Sequence, residues 1–152
     1  MTEEFNTNVI EDLVETLEDG EKGFSEAAQK LSEGGHTELA EQMREFSDQR
    51  ARFSSELRTM AQSAGAELDE EGSAGGALHR GWMDLKAALT GDDPHAILAA
   101  AESGEDHAVS EYEDALEEDS LSGQLRDFVA RQADEVRRAH NVVRDLRDRF
   151  DD

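Results

Sequence analysis

Cysteine is absent from this 152-residue chain. Its absence excludes disulfides, thiolate nucleophiles and Cys-ligated zinc or iron–sulfur sites. Proline occurs once, at Pro94, and β-branched residues are few, so little in the chain supports an extended sheet. Basic residues are scarce as well: 15 Lys+Arg stand against 38 Asp+Glu, a net charge of −23, and only Lys22, Lys30 and Lys86 are lysines. Phosphate contacts need a basic face, so nucleic acid and anionic membrane surfaces are disfavoured as partners. No apolar run approaches the length of a membrane span. The opening stretch "MTEEFNTNVIEDL" is acidic and has no apolar h-region, so no secretory signal is expected. These absences predict a soluble, cytoplasmic protein whose residues 1–152 form one domain, long enough to bury a core. A surface this acidic and this poor in lysine repels itself unless salt screens it, which points to a halophilic host with a saline cytoplasm.

What is present is abundant Ala, Glu, Leu and Arg, patterned for helices. A first helix is predicted over about 6–32, where Ile10, Leu13, Leu17, Gly20, Phe24, Ala27 and Leu31 recur at alternating steps of three and four. The glycines of "EGG" (Glu33 to Gly35) suit a left-handed cap at its end. A second helix over about 37–64 repeats the seam with Leu39, Met43, Phe46, Arg50, Phe53, Leu57 and Met60. A polar, glycine-rich stretch and a shorter amphipathic piece, about 77–90, come next. A third helix, about 94–118, opens with Asp93 as N-cap and Pro94 at the first helical position, and carries Leu98, Ala101, Glu105, Ala108, Tyr112 and Ala115. A fourth, about 121–150, carries Leu125, Val129, Gln132, Val136, Ala139, Val143, Leu146 and Phe150. Short links make two antiparallel hairpins, and the long crossover between the second and third long helices carries the short one. That is the ferritin-like up-down four-helix bundle.

Each seam is interrupted near its middle by a polar residue: Glu21 beside Gly20, Arg50, Glu105 beside Gly104, and Gln132. "EDGE" (Glu18 to Glu21) echoes "ESGE" (Glu102 to Glu105), and "MREF" (Met43 to Phe46) echoes "LRDF" (Leu125 to Phe128), as if the hairpins were diverged copies. Carboxylates inside a bundle must be paired or bound to metal. A di-metal centre of this fold takes one Glu from each of two helices and Glu-x-x-His from the other two. The first half of that requirement is met. The second is not, because the second helix has no histidine beyond His36, and Glu135 stands five residues before His140, off its face. Arg50 sits where a ligand would be needed, and its planar, permanently charged fork suits carboxylates. The expectation is therefore a metal-free layer of Glu21, Arg50, Glu105 and Gln132, with no cofactor and no catalytic residue. The alternative is an iron or manganese protein, a ferroxidase or peroxide reductase, using Glu18, Glu21, Glu102, Glu105 and His140. A looser cation could be held by Glu102, Asp106 and His107 in "ESGEDH", though a solvated acidic face is the more economical reading.

On the crossover, "LHRGWMDLKAAL" places His79, Arg80 and Trp82 together, with Trp82 read as a plug for the end of the bundle. This element, with "DGEKGF" upstream and "AAESGEDHAVSEYEDAL" and "QADEVRRAHNVVRDLRD" downstream, resembles a family of small bacterial ferritin-like four-helix-bundle proteins catalogued as a domain of unknown function. The resemblance runs from about Asn8 to Asp148. It implies the ferritin-like fold, a cytoplasmic bacterial setting and a stress-related context, with no reaction attached. Its recurring positions fall on Gly20, Glu21, Gly23, Arg50, His79, Arg80, Gly81, Trp82, Gly104, Glu105, Asp106 and His140. The chain departs from the family in having His107 and in its unusually acidic surface. The function expected is non-enzymatic, a stress-related or interaction role, in a bundle that self-associates into a homo-oligomer such as a dimer.

Overall fold

The computed structural model describes residues 7–63, 65, 81–91, 93–119, 121 and 123–149, and among them every regular element is helical. The helices are α1 (Thr7–Glu33), α2 (Thr37–Ser63), α3 (Met83–Ala88), α4 (Pro94–Leu116) and α5 (Gly123–Arg149). The seam residues of α1 are what bury it: Ile10, Leu17, Phe24 and Ala27 are all fully inaccessible. At its end the His36 N–H donates to the Leu31 carbonyl and the Gly35 N–H to that of Ser32, while Gly35 takes φ +85°. That is a Schellman cap, and it reverses the chain into α2. The opening of α4 follows the same local logic: Asp93 accepts from the His95 N–H at 3.0 Å, and Pro94 fills the first turn.

α1 packs along α2 and α4, α4 along α5, and α2 along α5, while α3 lies on α4. The long helices thus close on one another around a shared interior, and the molecule is an all-α helical bundle. None of the described helices is long and apolar enough to cross a membrane. The interior falls into two apolar clusters. One gathers Ile10, Leu13, Leu57, Tyr112, Val129 and Val136. The other gathers Phe24, Leu31, Met43, Trp82, Leu98 and Val143. Arg50 and Glu105 are buried on α2 and α4 between the sequence positions that build the two clusters, while Gln132 is buried on α5 among those of the first. Arg50 and Glu105 therefore lie at the level where the two halves of the core meet.

α3 begins at Met83, well inside the predicted short helix of about 77–90, whose residues 77–80, with His79 and Arg80, lie outside the described residues. The start at Met83 has a tertiary cause. Gly81 takes φ +76° and Trp82 is non-helical but only 2 % exposed, so the chain turns its indole inward before helix formation begins.

Candidate functional site

Midway along α2, Arg50 points across the bundle to Glu105 on α4. Nη1 donates to Oε1 at 2.5 Å and Nη2 to Oε2 at 2.6 Å, a fork-to-fork pair in which the side chains are 1 % and 0 % exposed. The third guanidinium nitrogen of Arg50, Nε, donates to Gln49 Oε1 at 3.2 Å. The flat guanidinium also lies near the Phe24 ring, 5.3 Å from its centre. Two charges buried this deeply are tolerated because each neutralises the other and the fork satisfies both carboxylate oxygens. Gly20 on α1 faces the cation, and an added Cβ there would make ordinary contact with it, 3.4 Å from Arg50 Cγ and Nη1.

Beside this pair lies a neutral relay. Tyr112 donates its hydroxyl to Gln132 Oε1 at 2.8 Å, and Gln132 Nε2 donates to the Phe53 carbonyl at 3.1 Å, tying α4 to α5 and α5 to α2. Burial pushes the Tyr112 phenol well above its ordinary value; Arg50 opposes that rise and Glu105 adds to it. Tyr112 therefore stays a hydroxyl donor throughout the neutral range.

Glu21, read from the sequence as a fourth member of this layer, does not join it. It is half-buried at the rim, and its carboxyl is raised above the usual range by burial, then by Glu18 and Asp48. Only its backbone is engaged inward, where its carbonyl accepts from Ser47 Oγ at 2.8 Å. The other proposed ligands also fail to gather in the core. Glu18 meets Arg58 at 3.3 Å, and Glu105 is taken by Arg50.

Trp82 accounts for the two remaining mid-helix glycines. An added Cβ at Gly23 on α1 would come within 2.3 Å of its indole, and one at Gly104 on α4 within 2.2 Å. The ring is thus wedged between two helices at points where only glycine leaves space, rather than plugging an end of the bundle. Phe24 meets it edge-on, centres 5.0 Å apart, and so contacts both Trp82 and Arg50.

A second polar group lies nearer the surface, on the α4–α5 hairpin. Glu102, Asp106 and His140 bring one ligand atom each to within 4.8 Å of the others. His140 Nε2 is 2.5 Å from Asp106 Oδ1 and 4.0 Å from Glu102 Oε2, while Arg147 bonds the other oxygen of Glu102. His107, the histidine adjacent in sequence, faces Glu111 instead, at 3.7 Å. The signal for His140 was topological: a hairpin turning near Leu121 sets residue 140 across from residue 102. For Tyr112 the sequence offered only a seam aromatic, with nothing to mark its hydroxyl as the partner of Gln132.

These features define an all-α bundle organised around a buried ion pair. Residues 6–118 match the family model described as Domain of unknown function (DUF2383), and the chain belongs to that family. The match spans α1 to α4 and so includes Arg50, Trp82 and Glu105, while Gln132 and His140 lie beyond it on α5. No curated protein matches the chain.

Proposed function

We propose that this protein is a ferritin-like four-helix bundle in which the Arg50–Glu105 ion pair stands where that fold holds its metal centre, and that it serves a non-enzymatic role of the interaction or stress-related kind. The observation that supports this most is the fork itself, because both oxygens of Glu105, fully buried midway along α4, are bonded to a permanent cation. A metal would have to displace a guanidinium that cannot lose its proton. A core redox centre would also need histidines that the second helix does not supply.

The alternative, an iron or manganese protein using core carboxylates, requires Arg50 to leave Glu105. The two readings part in one experiment: elemental analysis of the purified wild type and Glu105→Gln after exposure to iron and manganese, with aerobic Fe(II) oxidation followed alongside. On this proposal Fe(II) oxidises at the rate of buffer, and Glu105→Gln changes no metal stoichiometry. About two metals per chain, lost in Glu105→Gln or Glu21→Gln, would establish the alternative.

A further inference from the structure

We propose that Glu102, Asp106 and His140 form a peripheral site for a divalent first-row transition ion, separate from the buried Arg50–Glu105 pair and independent of the role assigned to it. The set is more than an acidic patch. Glu102 and Asp106 are four residues apart and so share one face of α4, and α5 supplies a histidine whose ring nitrogen points between them. Glu102 and His140 are mostly buried, at 13 % and 18 % exposed, which limits the orientations either can take. Ligand atoms sharing one ion at about 2.1 Å lie roughly 3 Å from each other. The two Nε2–oxygen distances here, 2.5 and 4.0 Å, bracket that value, so Glu102 drawing in and the exposed Asp106 drawing back complete the set.

The chemistry selects the class of ion. An imidazole nitrogen with two carboxylate oxygens suits zinc, manganese or iron better than the all-oxygen cages of calcium, and two carboxylates balance a double positive charge. Asp106, 67 % exposed, leaves the outer side open to water. Arg147 holds the oxygen of Glu102 that faces away from His140, leaving Oε2 for the ion. The ion would take the place of the proton between His140 and Asp106 and fasten α4 to α5, since its ligands come from both.

The test is titration of the full-length protein with Mn(II), Zn(II) and Co(II) by calorimetry, on wild type, His140→Ala, Glu102→Gln, His107→Ala and Glu105→Gln, with folding checked by circular dichroism. One ion per chain is expected, with affinity at least tenfold weaker in His140→Ala and Glu102→Gln and unchanged in His107→Ala. A metal-dependent rise in Tm should also vanish in His140→Ala. Equal affinity in His140→Ala, or binding only as a non-saturable counter-ion cloud, overturns the site. Loss confined to Glu105→Gln overturns it too, and assigns the metal to the core. Mn(II) broadening of the wild-type NMR spectrum needs no variant. Broadening centred on residues 102, 106 and 140 supports the site, and broadening spread evenly over the acidic surface contradicts it.

Discussion

Gly20, Gly23 and Gly104 all lie inside helices, where glycine is about 1 kcal/mol less favourable than alanine, yet a methyl group meets different surroundings at each. At Gly20 the nearest atoms are 3.4 Å away and belong to the flexible arm of Arg50. Gly20→Ala is therefore expected to be neutral or to stabilise by up to about 1 kcal/mol in chemical denaturation. At Gly23 and Gly104 the methyl would run into a rigid indole at 2.3 and 2.2 Å. Either substitution should destabilise by about 1–3 kcal/mol, and the penalty should shrink in a Trp82→Leu background. Equal effects at all three positions would contradict the wedge. Glu21 gives a pH signature. Its folded carboxyl is raised by burial and by Glu18 and Asp48, so its charged form is disfavoured on folding. A raised carboxyl is harmless below its unfolded value, near 4.5, and detracts from stability as pH rises through the folded one. Glu21→Gln should thus stabilise the protein at pH 7 and have little effect at pH 4, as read from urea midpoints at the two values.

Most of the elements could be read from the sequence because their causes are local. Alternating steps of three and four mark the long helices, and Asp93–Pro94 marks the start of α4. The Glu33-Gly-Gly stop works through a single backbone angle: Gly35 sits at φ +85° with nothing within 4 Å of a would-be Cβ. Gly35→Ala should therefore cost about 1–2 kcal/mol through strain alone, and Gly35→Asn less, since Asn tolerates this region. What the sequence obscured depends on rotation or on distant partners. Gly20 and Glu21 are neighbours about 100° apart on the helix, so one of them can face Arg50, and it is the glycine. In the α4 echo of this pair the roles divide the other way, Glu105 meeting Arg50 and Gly104 meeting Trp82. The start of α3 is set by an indole docking between residues 23 and 104, which no local pattern around residue 82 announces.

For the molecule as a whole, a net charge of −23 on 152 residues opposes compaction. The Debye length falls from about 10 Å at 0.1 M salt to about 3 Å at 1 M, so screening should favour the folded state. Tm is expected to climb steadily from low to molar NaCl; a flat profile would remove the halophilic reading of the surface. The buried ion pair responds differently, because salt does not reach it. A double-mutant cycle on unfolding free energy, with Arg50→Met, Glu105→Leu and both together, tests the central claim most directly. Each single change strands a buried charge and should cost about 3–5 kcal/mol, while the double change, which strands none, should recover most of that loss. Mild single effects, or a double variant as unstable as the two losses added, would show that the middle of the bundle is not held by this pair.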